Sequence, residues 1–298
     1  MRGWKGGRLA VISSFLFLSA SSAGAFEVAV VKSAEIKPYL EALEGFKSTC
    51  NCVVTELTRD DDQSVPARIE RIRPDAVLTI GLDALKKMES VRNVPVFFTM
   101  VPYPAARGQG QKTTSGVHMS VPLEKQFDAI LAVFPNARRV GIVYDPGHPD
   151  FSIAEAFVAA HSRGIDLIAR KAQKPGEVFS LIDGLKGAID VFLLLPDRTV
   201  ISPETVNHLL LFSFQNRIPV FSFSKKYVEM GAVAALTVDP FDLGAQTGEI
   251  MKKALRTGPE EHVVVPARKS VITVNRKVAR KLGIEIPADI LERAEIVE

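Results

Sequence analysis

The chain of 298 residues is poor in the residues from which redox and metal sites are built. Its two cysteines, Cys50 and Cys52, fit neither the Cys-x-x-Cys spacing of a redox site nor a zinc site without further ligands. The five histidines are scattered without the spacing of metal ligands (His118, His148, His161, His208 and His262). We therefore expect no metal and no cofactor. The cysteines are either two ordinary thiols or a pair that is oxidised after export.

The common catalytic and nucleotide-binding signatures are also absent from the sequence. It has no Gly-x-x-x-x-Gly-Lys phosphate loop, no Gly-x-Ser-x-Gly nucleophile elbow, no His-Glu-x-x-His zinc motif, and no Gly-x-Gly-x-x-Gly after the first predicted strand. We predict that the protein is not an enzyme. An enzyme would need a convergent set of acid, base or nucleophile that no motif here indicates.

No apolar run near the N-terminus reaches the roughly 20 residues of a membrane helix. A basic start, the apolar residues 9–18 and the small residues Ala23-Gly24-Ala25 are instead typical of a cleavable signal peptide. We predict residues 1–25 to be this signal and the mature protein to be periplasmic, a permanent anchor being the alternative. The absence of a cysteine near the cleavage site excludes a lipid anchor on such a thiol.

Neither sign of charge dominates the predicted mature chain. The whole sequence has 37 Lys and Arg against 34 Asp and Glu, and the predicted signal contains three basic residues and no acidic one. The mature chain therefore has a net charge of zero. Because it has no basic stripe or basic-aromatic cluster, we predict no nucleic-acid partner.

Short β-branched runs alternate with segments of helical period from Phe26 onward. This alternation is typical of a parallel sheet with crossover helices. It occurs in two series, one before and one after Pro122, and the length of the chain suits two cores. A final strand, a long helix over 240–257 and two more strands suit a chain that crosses repeatedly between lobes. We predict an α/β protein of two lobes, each a parallel sheet flanked by helices.

In open parallel sheets, ligands bind beyond the carboxyl ends of the strands, where helices begin. That rule selects the loops that follow six predicted strands, which contain Ser33, Gly81 and Leu82, Thr99 and Met100, Asp145 to Ser152, Asp197 to Thr199, and Ser224. Several of these residues also have a structural interpretation. Asp145 flanks a Pro-Gly turn, Asp197 and Arg198 suit a cap or a surface pair, and Asp239 suits an N-cap before Pro240.

Segments along the chain resemble the ABC-transporter substrate-binding family whose characterised members take up aromatic amino acids such as tryptophan. The second half carries FPNARRVGIVYDPGHPDFS, PDRTVIS, RIPVFSFSKKYVEMGAVAALTVDPFDLGAQTGEIMKKALRTG and VITVNRKVARKLGIEIP. The first half matches more loosely, in RPDAVLTIGLDALKKM, VPVFFTMVPYP and SGVHMS. The family is a branch of the type I periplasmic-binding fold.

The resemblance implies a Venus-flytrap protein whose chain crosses between lobes three times, near Ser120, near Gly231 and Ala232, and near Pro259 to Val263. The first lobe would then comprise residues 26–120 and 232–260. The second lobe would comprise residues 121–231 and 261–298.

The resemblance also implies a binding site and partners. The family's ligand contacts correspond to Thr79, Gly81, Leu82, Thr99, Met100, Asp145, His148, Ser152, Asp197, Arg198, Thr199, Ser224 and Asp239. A monomer would capture a small solute, such as an amino acid or a related molecule, and deliver it to an inner-membrane permease with its ATPase. The alternative is a periplasmic solute sensor that acts on a membrane receptor or kinase.

Overall fold

A computed structural model of the chain describes residues 25–57, 64–102, 114–147, 151–258 and 262–298. The first half contains β1 (Glu27–Lys32), α1 (Lys37–Cys50), β2 (Val53–Leu57), α2 (Val65–Ile72), β3 (Ala76–Ile80), α3 (Leu82–Lys87), β4 (Val96–Val101), β5 (Thr114–His118) and α4 (Leu123–Val133). The second half contains β6 (Arg139–Tyr144), α5 (Ile153–His161), β7 (Asp166–Lys171), α6 (Val178–Asp183), β8 (Val191–Leu193), α7 (Pro203–Asn216), β9 (Val220–Ser222), α8 (Lys225–Met230), β10 (Ala234–Val238), α9 (Pro240–Thr257), β11 (Val264–Pro266), β12 (Ser270–Asn275), α10 (Arg276–Leu282), α11 (Ala288–Arg293) and β13 (Glu295–Val297).

The strands form two sheets. The first sheet has the order β11-β5-β4-β3-β1-β2, and its strands are all parallel. The second has the order β13-β12-β10-β9-β8-β6-β7, in which β10 and β12 are antiparallel and the other pairs are parallel. Every residue of β3 is buried, as expected for a parallel strand that is covered on both faces.

Each sheet has an apolar core on both of its faces. In β1, Val28 and Val30 point toward α1 and α9, whereas Ala29 and Val31 point to the core on the opposite face. This alternation follows from the period of two in a strand. The α/β architecture with two flanked sheets is therefore the predicted one, and the antiparallel pair of β10 and β12 is the exception to the predicted parallel order.

Helices α1 and α9 pack unusually closely on the first sheet. A Cβ atom built on Gly244 would overlap the carbonyl oxygen of Ala42, and one built on Gly45 would overlap the carbonyl oxygen of Phe241. The Thr49 hydroxyl donates a hydrogen bond across the contact to the Ala245 carbonyl at 2.8 Å. A Cβ atom on Gly248 would likewise lie 2.8 Å from the carbonyl oxygen of Phe46, so the approach of the two backbones depends on glycine at three positions.

Three segments within the described residues connect the two sheets. The first, 119–122, agrees with the predicted crossing near Ser120. The other two differ from the prediction. Because β10 belongs to the second sheet, the chain crosses to the first sheet at Asp239 and not near Gly231. Because β11 belongs to the first sheet and β12 to the second, the chain crosses back at 267–269. Residues 234–238 and 264–266 therefore lie in the sheets opposite to those that the predicted boundaries imply.

Cys50 and Cys52 form a disulfide in the structure. It closes the turn between α1 and β2, where Asn51 adopts a left-handed backbone conformation with φ of 54°. Of the two states that the sequence allows, the structure thus has the oxidised one.

His118 is buried where the first and third connecting segments meet. Its carbonyl accepts the Ala267 N–H at 3.1 Å, and its Nδ1 lies 3.4 Å from the N–H of Ser120. Burial lowers the pKa of His118 from the usual 6.5 to about 4. The folded protein therefore holds this imidazole neutral at pH values at which the unfolded chain protonates it.

We expect this histidine to make folding stability depend on pH between 6.5 and 4. Because its folded pKa lies below its unfolded pKa, its contribution is complete above pH 6.5 and is lost as the pH falls toward 4. The loss from pH 7 to pH 5 should be about 2 kcal/mol. Urea denaturation of the wild type and of His118→Gln at both pH values checks this: the variant should lose less stability on acidification. Equal losses would contradict the prediction.

Candidate functional site

The loops selected from the sequence lie at the carboxyl edges of the two sheets. β1, β3 and β4 end at the edge of the first sheet, and β6, β8 and β9 end at the edge of the second. The pKa of Lys225 in α8 is raised mainly by its hydrogen bond to Glu295 and, more weakly, by the Glu41 carboxylate of α1. The start of α8 is thus near α1 of the other sheet. We call the space between the two carboxyl edges the cleft.

On the first sheet, Ser33 and Gly81 come together beside the start of α3. The Ser33 hydroxyl accepts the Ala84 N–H at 2.9 Å, so it ties the end of β1 to α3. Gly81 has φ of +91°, a conformation that side chains disfavour. Leu82 is partly buried and packs its side chain against the core beneath the sheet.

The two buried threonines of the predicted site differ. Thr79 donates a hydrogen bond to the Phe97 carbonyl at 3.2 Å and therefore supports the sheet. The Thr99 hydroxyl is equally buried but has no hydrogen-bond partner among the residues that the structure describes. Met100 follows it with φ of +57°, at the point where the register of β4 and β5 shifts. Such backbone strain in a non-glycine residue is common at binding sites.

On the second sheet, Asp145, Asp197 and Thr199 form one hydrogen-bonded cluster. The buried Asp197 carboxylate accepts the N–H groups of Asp145 at 2.7 Å, Thr199 at 2.8 Å and Val200 at 3.3 Å. The Thr199 hydroxyl donates to the Asp145 carboxylate at 2.6 Å, and the other oxygen of that carboxylate accepts the Gly147 N–H at 2.7 Å. The cluster therefore fixes the loops after β6 and β8 relative to each other.

This geometry decides between the structural interpretations of two residues. Asp197 is not the N-cap of α7, because that helix begins at Pro203 and its N-cap Ser202 accepts the Thr205 N–H. Asp145 has the turn role that its Pro-Gly sequence indicates. Arg198 is exposed and forms no ion pair with any described residue.

The remaining predicted residues are helix caps or lie outside the described residues. Ser152 caps α5 through the Glu155 N–H at 3.3 Å, whereas Ser224 precedes α8 without a side-chain cap. Asp239 caps α9 and pairs with Lys269 at 2.6 Å. Burial alone would raise the pKa of Asp239, but the hydrogen bond from Lys269 and those from backbone N–H groups lower it below its usual 3.8. His148 lies in the segment that the structure does not describe.

Several aromatic side chains lie near the cleft, and one of them, Phe151, belongs to the predicted loop from Asp145 to Ser152. Phe151 lies against Tyr144 with ring centroids 5.3 Å apart, and Phe223 lies against Tyr227 at 5.4 Å. Tyr39, in the first turn of α1, extends to Gly81. Helical periodicity places Tyr39 in the core together with Leu43. Its position in the first turn of the helix that follows β1 is the signal that could have indicated that its side chain lies at the cleft.

A cavity of about 730 Å³ lies away from the cleft, at the carboxyl-terminal ends of α1 and α9. Its basic residues, Lys47, Lys252, Lys253 and Arg256, occupy helix ends where cations are favoured by the helix dipole.

Among the described residues, no group of three or more potential ligands could hold a metal ion. No helix in the same part of the chain is long and apolar enough to cross a membrane.

Comparison with known proteins places this geometry in context. A sequence profile of ABC transporter substrate binding proteins matches residues 63–298. A search of curated protein sequences gave no significant match. The substrate-binding protein CD0873 of Clostridium difficile, which has adhesive properties, is similar in its ligand-free open structure, with a TM-score of 0.74 and 21% identity over 92% of this chain and 99% of that one.

Two further structures are similar over 92% of this chain and the whole of theirs. A conserved domain protein of Vibrio cholerae has a TM-score of 0.58 and 26% identity. The ABC domain of a Streptococcus pneumoniae protein in complex with L-Trp has a TM-score of 0.60 and 19% identity. These likenesses confirm the predicted type I periplasmic-binding fold. The family consists of substrate-binding proteins, a non-enzymatic class that is typically extracellular or periplasmic. Since the profile matches most of its length, the chain belongs to the ABC transporter substrate-binding protein family.

Proposed function

We propose that this protein captures a small solute in the periplasm and delivers it to an ABC importer, consisting of an inner-membrane permease and its ATPase. The observation that carries the proposal is the arrangement of the cleft. Each sheet contributes a set of strand-end loops, and Lys225 at the start of α8 lies near enough to Glu41 of α1 for their charges to interact. A solute between the two sets of loops would contact both sheets at once.

Binding of this kind works by selecting a closed state. Three short connecting segments join the two halves, so the halves can rotate without rearranging either core. A solute that contacts both edges has its full set of interactions only when the cleft is closed, and its binding therefore shifts the population toward that state. A permease that recognises the closed form would then receive loaded protein.

The two edges would make different contributions. The hydrogen bonds of the Asp145, Asp197 and Thr199 cluster hold the second edge in one conformation before the solute arrives. Such preorganisation reduces the entropy cost of binding. The partly exposed Asp145 carboxylate at this edge favours a solute with an amino group, and the first edge would hold the remaining polar groups of the solute. An amino acid or a related molecule fits this division.

Solute binding is tested by thermal-shift screening of amino acids, nucleosides, small carboxylates and sugars, followed by calorimetry and small-angle X-ray scattering. We expect a cognate solute at 100 times its dissociation constant to stabilise the protein by about 2.7 kcal/mol. Its radius of gyration should decrease at the same time, because the halves close. A calorimetrically proven solute that leaves the scattering curve unchanged would overturn the closing mechanism.

Import and sensing differ in the partner that recognises the closed form. Neighbouring genes for a permease and an ATPase would support import, whereas a histidine kinase or chemoreceptor would support the sensor alternative. With a reconstituted permease, the loaded protein should stimulate ATP hydrolysis and the solute-free protein should not. Equal rates with both forms would argue against the importer.

A further inference from the structure

Tyr39 places a hydroxyl group at the carboxyl edge of the first sheet. It lies in the first turn of α1, directly after β1, and is half-buried. Its side chain reaches sideways to Gly81, the residue that follows the neighbouring strand β3. The side chain therefore lies along the strand ends that form one side of the cleft.

Two hydroxyl groups converge on Gly81. The position that a Cβ atom would occupy on this residue is 2.6 Å from the Ser33 Oγ and 2.6 Å from the Tyr39 Oη. Since each oxygen is 2.6 Å from the same point, the two oxygens lie no more than twice 2.6 Å apart. One small polar group could accept hydrogen bonds from both, and the absence of a side chain at Gly81 leaves the space that this convergence needs.

Both hydroxyl groups are able to donate. The Ser33 oxygen accepts the Ala84 N–H, which leaves its own proton for another acceptor. The Tyr39 hydroxyl makes no hydrogen bond with the residues that the structure describes. Burial, and to a smaller degree the nearby Asp83 carboxylate, raises the pKa of Tyr39 above its usual 10, so the phenol stays protonated at neutral pH.

The cation at the end of β1 is already paired. Lys32, at the end of β1, forms ion pairs with Glu56 at 2.7 Å and with Glu35 at 2.9 Å. Recognition of an anionic group here therefore depends on neutral hydroxyl donors. Hydrogen bonds from such donors to a charged acceptor are stronger than those to a neutral one.

We infer that Tyr39 is a specificity-determining residue, whose hydroxyl, together with that of Ser33, donates a hydrogen bond to a carboxylate group of the solute. The inference rests on the proposed function, because it places the solute in the cleft. It adds hydrogen-bond donors for a carboxylate at the first edge to the negative charge of the second edge. The solute class that follows is a carboxylic acid.

The test compares carboxylates with their primary amides. The probes are L-tryptophan, L-phenylalanine, L-leucine and L-lactate, each beside its amide, with D-ribose and adenosine as uncharged solutes. Affinities are measured by calorimetry on the wild type and on Tyr39→Phe, which removes only the hydroxyl. We expect at least one carboxylate to bind at least tenfold more tightly than its amide. Tyr39→Phe should weaken that carboxylate roughly ten- to a hundredfold and the amide much less.

Two controls separate recognition from folding. The melting temperature of the solute-free Tyr39→Phe should stay within about 2 °C of the wild type, because the hydroxyl bonds no described residue. Ser213→Ala removes a buried, unbonded hydroxyl near the end of α7, on the side of the second sheet away from its carboxyl edge. This variant should keep the wild-type ratio of carboxylate to amide affinity.

Three results would overturn the inference. They are an unchanged ratio in Tyr39→Phe, binding of uncharged solutes only, and no binding of any carboxylate in the panel. If ribose or adenosine binds and compacts the protein, the proposed function stands and only the carboxylate is wrong. If a carboxylate binds as predicted but the protein does not compact, the specificity role stands and the closing mechanism fails.

Discussion

Replacing Gly244 with alanine is expected to destabilise the protein by about 3 kcal/mol, because the new methyl group would overlap the carbonyl oxygen of Ala42. Alanine favours a helix over glycine by about 1 kcal/mol, so this substitution would stabilise an unpacked helix. Here the neighbouring atom belongs to a backbone and cannot rotate away. The helices α1 and α9 must separate, and the core beneath them, which contains Phe46 and Leu243, loses its packing.

Urea denaturation followed by far-UV circular dichroism measures this loss. Gly176→Ala is the matched control, since a Cβ atom at Gly176 would meet nothing within 4 Å. Its free energy of unfolding should stay within about 0.5 kcal/mol of the wild type. If Gly244→Ala is as stable as this control, the close approach of the two helices is wrong.

Replacing Asp197 with alanine is expected to cost about 3 kcal/mol of stability, because backbone N–H groups lose their acceptor in a buried site. The same substitution should weaken solute binding about tenfold or more. The loops after β6 and β8 are held together by this carboxylate, and Asp145 and Thr199 lose their fixed positions without it. A residue that only contacted the solute would lower affinity and leave stability unchanged.

Denaturation and calorimetry on the same Asp197→Ala protein distinguish these outcomes. Arg198→Ala is the control for the loop: the arginine is exposed, so its removal should change stability by less than about 0.5 kcal/mol. Its effect on affinity tests the predicted contact of Arg198 with the solute independently. Wild-type stability of Asp197→Ala would contradict the structural role of the cluster.

Local sequence patterns predicted most elements of the fold because each pattern reflects burial of a single element. The two predicted series of alternating strands and helices are present, and the predicted helix over 240–257 begins at Pro240 behind its Asp239 cap. The sheet to which β10 and β11 belong could not be predicted in the same way. A short β-branched run fits any sheet edge, and its partner is decided by contacts that are distant in sequence.

The candidate site was predictable as a set of loops but not as chemistry. The strand-end rule found Asp145, Asp197 and Thr199, which the structure joins by hydrogen bonds. It could not indicate that the Asp197 carboxylate accepts its hydrogen bonds from backbone N–H groups of its own lobe. Tyr39 was missed because a residue on the apolar face of a helix has the same periodicity whether it enters the core or the cleft.

The return of the chain to the first sheet has a consequence for the order of folding. α9 covers the first sheet beside α1, and β11 extends that sheet beyond β5, yet both follow the whole βα series of the second sheet. A chain that emerges from its N-terminus therefore has an uncovered apolar surface around Leu43 and Phe46 until residues 240–266 arrive. During that interval this exposed apolar surface can drive aggregation of the nascent protein.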